Sequence, residues 1–382
     1  MILEKATPSD NEELLQFYNS FTKQGLFEYQ IKRLISYEAP YKLQAPENKT
    51  FILRDDSQIL ASASFVIQKV QYMGEVTNVA YARDFRVNPS RKATLSWAQH
   101  FLPVLEELQQ DCSTIFTHIN LKDPQALNTF IKSRPLKKQH SESLHGHVSR
   151  FVPRHYLYKK FNIVSVHGRF PSFTSPISYL KISHATPKDD EALMNYLLQK
   201  MSHREFKPFW DLESLKQYLK NIPDLTLRDF WIAKNSQGEI VGCTAPCATE
   251  PFFEIHPLHY SARAINFYQL LKFGSYLNWT RRIPNIRSGE AFKFKLLTHL
   301  FADNHDILES LIETCFNTCT QNEFLVYLAM NDDIQMRPPR NWISTSIPYG
   351  FYSILTKFQN SPPYLNANDQ SYPWLEAQHI SL

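Results

Sequence analysis

The 382-residue sequence lacks an apolar run of the roughly 20 residues that are needed to cross a lipid bilayer. Its start, MILEKATPSDNEE, also lacks the basic and apolar regions of a secretory signal. The sequence also lacks a large excess of either charge, since it contains 41 Lys and Arg and 37 Asp and Glu. The resulting net charge of +4 is too small to indicate a nucleic-acid partner. We therefore expect a soluble, cytoplasmic protein that binds neither a membrane nor a nucleic acid.

Cysteine is sparse as well. The count of five is odd, which argues against a disulfide framework in a chain of this length. Cys243/Cys247 and Cys315/Cys319 each enclose three residues, whereas zinc ligands usually have tighter spacing. The histidines of the basic segment 135–147 have no Asp or Cys partner at a metal-binding spacing, so we expect a solvated loop there. No metal site is predicted.

Length and internal repetition indicate two domains. A chain of this size exceeds one typical hydrophobic core, and 43% hydrophobic residues suffice for two. The segment ATPKDDEAL at 185–193 repeats ATPSDNEEL at 6–14, and Phe230 and Gln237 repeat Phe51 and Gln58 at the same offset. A constant offset over such a span indicates duplication of one fold.

Hydrophobic periodicity predicts strands at 51–54, 59–72, 79–87, 114–119, 148–152 and 157–166 in the first half, and at 239–245, 292–301, 324–330 and 347–355 in the second. It also predicts a helix over 27–37 and a helix that opens at Asp123 and Pro124. An insert at about 250–290 resembles a helical hairpin in size. We interpret it either as a lid over an acceptor pocket or as an interdomain packing helix.

The stretch from Val79 to Phe101 combines a strand with the start of a helix. Asn88 and Pro89 break the strand, and Ser90 is a suitable N-cap for the helix that follows. Unpaired N–H groups at a helix N-terminus suit a phosphate, and two cations follow the cap directly. The alternative is an ordinary capped helix with a solvated Arg-Lys pair.

The sequence VNPSRKATLS at 87–96 resembles the acetyl-CoA signature of the GNAT superfamily of N-acetyltransferases, in which a strand ending in V-x-P runs into Arg/Gln-x-x-Gly-x-Gly/Ala. Arg91 takes the leading position, while Thr94 and Ser96 replace the small glycine-type residues. The resemblance implies that backbone N–H groups from Lys92 through Ala93, Thr94 and Leu95 to Ser96 hold the CoA pyrophosphate. It also implies that the backbone of Phe85, Arg86 and Val87 pairs with the pantetheine arm.

A second likeness follows the next strand. Asn120 ends that strand, and the resemblance implies that it lies at the CoA site together with Phe130 of the following helix. In the family this helix has the pattern A-x-x-x-Tyr, and its tyrosine protonates the CoA thiolate. Here Phe130 takes the place of the tyrosine and has no proton to give. Either another group, such as a nearby tyrosine, acts instead, or this half is a poor catalyst. Glu75 and Asp84 are the candidate bases, although each can equally be an ordinary turn or strand carboxylate.

The second half lacks the signature. At the corresponding position Asp303 and Asp306 would repel a pyrophosphate, and Asn304 or Asp303 is better interpreted as a helix cap. We therefore expect the second CoA site to be lost. A Pro/Asn-rich tail at 359–382 can fold back through Tyr364, Tyr372, Pro373 and Trp374.

These observations predict an α+β fold with two tandem GNAT-like domains, each a mixed, largely antiparallel sheet flanked by helices. The expected boundaries are 1–170, a linker at 171–176, a degenerate copy at 177–358, and the tail. The predicted activity is transfer of an acetyl or other short acyl group from acyl-CoA to a primary amine, on a small molecule or a protein. The alternative is a catalytically silent tandem protein that serves as a CoA-binding or protein-interaction module.

Overall fold

The computed structural model describes residues 1–24, 27–56, 58–131, 154–171, 179–250, 252–356, 362–366 and 372–376. In these ranges the helices are α1 (Asn11–Asn19), α2 (Arg91–Asp111), α3 (Pro124–Phe130), α4 (Asp190–Met201), α5 (Leu212–Asn221), α6 (Ala262–Tyr276), α7 (His305–Asn317) and α8 (Pro363–Asn366). The strands are β1 (Ile2–Lys5), β2 (Thr22–Lys23), β3 (Phe27–Arg33), β4 (Glu47–Asp55), β5 (Gln58–Tyr72), β6 (Glu75–Val87), β7 (Thr114–Asn120), β8 (Arg154–Arg169), β9 (Lys181–His184), β10 (Arg204–Glu205), β11 (Trp231–Lys234), β12 (Ile240–Ala248), β13 (Phe253–Tyr260), β14 (Lys293–Ala302), β15 (Glu323–Met330), β16 (Trp342–Leu355) and β17 (Tyr372–Pro373).

Most strands join one sheet of twelve, in the order β1-β4-β5-β6-β7-β16-β8-β15-β14-β12-β11-β9. The sheet is symmetric about its centre: β1, β4, β5, β6 and β7, counted from one edge, correspond to β9, β11, β12, β14 and β15, counted from the other. Two pairs, β6 with β7 and β14 with β15, are parallel, and the other neighbours are antiparallel. The predicted α+β class and the largely antiparallel character of each half are confirmed.

The two halves exchange their last strands. β8 belongs to the first half in sequence but pairs with β15, while β16 belongs to the second half and pairs with β7. The two exchanged strands also pair with each other, from Trp342 opposite Arg169 to Leu355 opposite Arg154. The central ladder therefore ties both sheets into one.

The sequence repeat corresponds to a structural repeat. Thr7 and Asp10 form a capping box around the turn Pro8–Asp10, and Thr186 and Asp189 form the same box around Pro187–Asp189. In each box the threonine hydroxyl donates to the aspartate, at 2.8 and 2.7 Å. Each box leads into the first helix of its half, α1 or α4.

One predicted helix is wrong. Residues Phe27–Arg33 form strand β3, not a helix, because they pair with β13 from the insert of the second half. The insert itself is therefore a strand followed by one helix, α6, rather than a helical hairpin. Together with β2, these strands make a small second sheet that links the halves across the sequence.

Buried aromatic side chains fill the space where the halves meet. The largest core cluster contains Tyr81 and Phe116 from the first half and Phe351 from the exchanged strand β16. The rings of Phe116 and Phe351 stack with centroids 4.6 Å apart. Burial of such large side chains gives each several kcal/mol, roughly 2–3 for a Phe. The core is thus shared between the halves.

Several predictions fall on residues outside the described ranges: the 135–147 loop, the strand at 148–152 and nearly all of the 171–176 linker. The domain boundaries stay a prediction. Of the tail, Tyr364 and Trp374 are buried against the sheets, as expected. Within the described residues no helix has the length and apolar character to span a membrane, and no three His, Cys, Asp or Glu side chains are placed to hold a metal ion.

The strand exchange predicts that neither half folds by itself. Residues 1–170 leave β7 without β16, so a fragment of that length should show no cooperative thermal unfolding by circular dichroism. Co-expression with 179–382 should restore a folded complex that co-purifies and melts cooperatively. A cooperative transition in the isolated 1–170 fragment would contradict the prediction.

Candidate functional site

The strands β6 and β7 separate near their carboxyl ends. They pair only where Val79 to Ala82 lie beside Thr114 to Thr117, and beyond that point each continues without the other. A cavity of about 180 Å³ lies in the opening. Its walls come from both strands, from α2 and α3, from the β2 segment and from the exchanged strands.

A β-bulge between β6 and β5 lies just beyond the point where β6 stops pairing with β7. The register between β5 and β6 shifts between Ser62 and Ser64, and Asp84 adopts a φ of 46°. This left-handed conformation is uncommon for a residue other than glycine, though Asp tolerates it better than most. Bulges re-aim side chains and backbone groups next to functional sites, and here the bulge directs Asp84 into the cavity wall.

A buried ion pair holds the bulge. Arg33 donates to Asp84 Oδ2, and both side chains are almost fully buried. The Tyr41 hydroxyl donates to the same oxygen at 2.8 Å. The Arg33 guanidinium lies 4.2 Å from the ring centroid of Tyr18 and 4.6 Å from that of Tyr37. Aromatic faces thus surround the cation and attract it electrostatically.

The ion pair sets the charge state of Asp84. Burial by itself would raise the pKa of this carboxyl, but Arg33, Arg86 and Lys23 outweigh burial and hold the pKa well below its ordinary value. The other carboxylate oxygen, Oδ1, is buried without a hydrogen-bond partner. Asp84 is therefore a fixed negative charge and a weak proton acceptor.

Lys23 is a second charged group in this cavity, and its pKa is strongly shifted. Its ammonium lies among other cations, and its pKa is lowered to about 7, first by burial and then by Arg86, against the attraction of Asp84 and Asp123. A lysine with such a pKa is partly neutral at physiological pH. Lysine has this property only when burial or neighbouring cations destabilise the ammonium form.

The helix α2 begins as predicted. The Ser90 hydroxyl accepts a hydrogen bond from the Ala93 N–H at 3.2 Å, and Lys92 Nζ pairs with Asp55 Oδ2 at 2.5 Å. Arg91 is exposed. The N–H groups of Arg91 and Lys92 belong to the first turn, where no intrahelical acceptor exists.

The structure distributes the predicted site residues unevenly. Asp84, Phe85, Arg86 and Asn120 line the cavity. Val87 and the helix start from 91 to 96 lie outside its lining. Glu75 is exposed at the hairpin end of β6, opposite Tyr72. Phe130 is the last residue of α3, and its side chain is outside the described part of the structure.

Sequence reasoning missed several lining residues. One of them, His118, lies on β7 itself, and the fold brings the others to the opening from other elements: Lys23, Tyr29 and Tyr349. Tyr349 comes from the exchanged strand, far away in sequence. Burial raises its pKa well above the ordinary value, as do Tyr29 and Asp123, so it keeps its proton at neutral pH. No local motif marks these positions.

The second half contains the same opening in a filled form. β14 and β15 pair only from Lys293 to Leu296, and the following bulge places His299 at a φ of 50°. The Glu376 carboxylate accepts the backbone N–H of His299, at 2.9 and 3.0 Å for its two oxygens. Trp374 stacks on Phe301 with ring centroids 5.9 Å apart. The chain's own residues 372–376 thus occupy this cleft.

The signature position of the second half has structural roles. The Asn304 side chain accepts the N–H of Ile307 at 3.0 Å and caps α7, as predicted. Asp303 Oδ1 accepts from Lys200 at 2.6 Å and from the Tyr196 hydroxyl at 2.9 Å. These interactions hold α7 and α4 together.

Comparison with solved structures identifies the fold. Saccharomyces cerevisiae N-myristoyltransferase, solved with bound myristoyl-CoA and inhibitors, matches 92% of this chain and 80% of its own at a TM-score of 0.51 and 9% identity. The GCN5-related glucosamine N-acetyltransferase region of a fungal multi-domain GH3 β-N-acetylglucosaminidase matches 93% of this chain at a TM-score of 0.50 and 11% identity; the match spans 38% of that larger protein. A GCN5-related N-acetyltransferase from Sphaerobacter thermophilus matches 87% of this chain and 97% of its own at a TM-score of 0.43 and 10% identity. No family model and no curated protein sequence matches the chain.

The chain has the GNAT fold. This confirms the fold that the resemblance at 87–96 implied. At identities this low the likeness concerns the fold alone. The opening between the two parallel strands contains a cavity in the first half and is filled in the second.

The ion pair under the bulge predicts a large stability effect. Arg33→Met should lower the free energy of unfolding by about 3–5 kcal/mol at pH 7, because it leaves Asp84 charged, buried and uncompensated. Urea unfolding measures the loss. Adding Asp84→Asn, which tolerates positive φ, should recover much of it. Additive losses in the double variant would contradict this account.

In the wild type the pKa of Asp84 is lowered, so the stability that Asp84 contributes is fully present above pH 3.8 and is lost as the pH falls below that value.

Proposed function

We propose that the chain is an N-acyltransferase that moves an acetyl or other short acyl group from acyl-CoA to a primary amine. The observation that carries the proposal is the opening between β6 and β7, which contains a cavity and a bulge at Asp84 and lies beside α2. Two proteins with similar folds have names that describe N-acyl transfer, and one was solved with bound myristoyl-CoA. The reaction would take place in the opening of the first half.

The residues of the first half fit an acyl-CoA. The backbone of Phe85 to Val87 has left β7 and would pair with the pantetheine arm. The first turn of α2 and Arg91 would hold the pyrophosphate. Thr94 and Ser96 lie inside α2 and have no positive φ. Glycine's conformational freedom is therefore not needed at these two positions.

Two side chains suit the proton transfers. The acceptor amine attacks the thioester carbonyl carbon, a C–N bond forms, and the C–S bond breaks. Lys23, when neutral, would take the proton from the nitrogen, since a base with a pKa near the working pH is the most effective. Tyr349 would give its proton to the leaving sulfur, in place of the tyrosine that Phe130 replaces. Tyr29 is the second candidate donor.

Neither of the two predicted carboxylates is suited to act as the proton acceptor. Asp84 is a poor base because its pKa is lowered, but its charge would support Lys23 and the bulge. Glu75 lies at the exposed hairpin end of β6, and the cavity lining does not include it. We assign proton acceptance to Lys23 rather than to either.

A silent CoA-binding or interaction module is the second candidate function. Phe130 in the acid position favours it, and so does the second opening, which Trp374 and Glu376 fill. This module would bind acyl-CoA, or an interaction partner, without turnover. The two candidates therefore differ in the release of free thiol, not in the fold.

The proposal predicts one acetyl-CoA site per chain. Isothermal titration should give a stoichiometry of one, with binding lost in Arg91→Glu because the variant places a negative charge beside the pyrophosphate. At a hundredfold excess over the dissociation constant, acetyl-CoA should stabilise the wild type by about 2.7 kcal/mol.

Arg340→Glu is the matched control, since Arg340 is exposed and outside the opening. It makes the same charge change and should leave binding intact. A stoichiometry of two would show that residues 372–376 leave the second opening. Absence of acetyl-CoA binding to the wild type would overturn the enzyme proposal.

The proton transfers predict a pH dependence. The rate of acyl transfer should rise with pH through about 7, because Lys23 accepts a proton only in its neutral form, which is populated above its pKa. Lys23→Met should lose this rise and keep only the ionisation of the acceptor amine. Tyr349→Phe should instead lower kcat about a hundredfold without moving the midpoint. A wild-type midpoint that stays in Lys23→Met would exclude lysine as the base.

A further inference from the structure

A second and larger cavity adjoins the first. It encloses about 300 Å³ and lies among the small sheet, α6 and the central strands. Its walls are mainly aromatic and aliphatic, with Phe27, Tyr260, Phe267, Ile283, Phe292 and Phe324 among them. Four residues line both cavities: Gln24, Tyr29, Asn120 and Tyr349. The two spaces therefore meet at the proposed proton donor.

One polar side chain in these walls has an unused hydrogen-bonding position. His167 is 6% exposed, and its ring contacts Phe267 and Phe324. Its Nε2 lies 3.2 Å from the Thr345 hydroxyl, while its Nδ1 is buried and has no partner. Burial lowers the pKa of His167 to about 3, so the imidazole is neutral. Buried polar atoms without partners are rare and call for a ligand or another explanation.

The walls of this cavity do not include the two segments proposed to hold the pantetheine arm and the pyrophosphate. Its lining contains no residue of β6 or of α2. It consists instead of β3, β13 and α6, which belong to the small sheet and the insert, and of the central strands. The smaller cavity of 180 Å³ already offers room for a short acyl group beside β6.

We propose that the larger cavity binds the apolar body of the acceptor amine. The amine would lie at Tyr29 and Tyr349, facing the first cavity, and a polar group at the far end of the body would bond to His167 Nδ1. An apolar cavity of about 150 Å³ is enough for benzene, so this one accommodates an aromatic ring with a short alkyl chain. The acceptor class is thus an arylalkylamine or a similar amphipathic primary amine. This inference rests on the proposed function.

Calorimetry on the full chain tests the proposal with phenethylamine and tyramine as probes. Ala264→Trp fills the cavity from α6 and should weaken phenethylamine binding at least tenfold, while acetyl-CoA affinity stays within twofold. Leu270→Trp is the matched control, because Leu270 lies on the same helix, is 48% exposed and does not line the cavity. It should change neither affinity.

A comparison of the two amines tests the proposed hydrogen bond to His167. Tyramine carries a hydroxyl where phenethylamine has none, so the wild type should bind tyramine about fivefold more tightly, which is the ratio that one net hydrogen bond gives. His167→Phe should bring the ratio to one. Thr345→Val keeps Nδ1 and should preserve the ratio, which separates the hydrogen bond from a general packing defect.

Three results decide the matter. If Ala264→Trp weakens octanoyl-CoA and not phenethylamine, the cavity holds the donor's acyl chain and the acceptor proposal is wrong. If neither amine binds the wild type, with or without acetyl-CoA, the proposal is overturned as well. If the amines bind as described but acetyl-CoA does not, the cavity proposal stands and the acyltransferase proposal fails.

Discussion

The antiparallel ladder between β8 and β16 is the interaction on which the rest of the structure depends. Each strand leaves its own half of the chain and completes the sheet of the other. The two halves are therefore joined by continuous backbone pairing through the middle of one sheet. Sheet edges are costly to leave open, and the exchange closes two of them at once. It also brings Tyr349 of the second half to the opening between β6 and β7.

The same backbone bulge occurs at both openings, and different side chains stabilise it in each half. Both begin with a bulge at positive φ, Asp84 in β6 and His299 in β14. At Asp84 a buried guanidinium and a cavity follow, whereas at His299 the Glu376 carboxylate accepts the bulge N–H. Strained backbone of this kind persists only where its surroundings hold it. The chain thus keeps the geometry in both halves and an accessible space in one.

Local sequence signals predicted local structure well. The Ser90 cap, the strand before it and the Asn304 cap of α7 follow from short-range hydrogen bonding and hydrophobic period, and the 179-residue offset indicated the duplication. The signals failed where distant pairing decides the outcome. Phe27–Arg33 is a strand because β13 lies beside it, and Lys23 has its unusual pKa because three-dimensional neighbours surround it. No spacing in the sequence encodes either neighbour.

The strand exchange also constrains how the chain is made. β7 leaves the ribosome roughly 220 residues before β16, its only partner on that side. At typical elongation rates of about 5–20 residues per second, the gap is roughly 10 to 45 seconds. During that time the nascent first half carries an open sheet edge and a partial aromatic core. The first sheet can therefore be completed only after most of the second half has been synthesised.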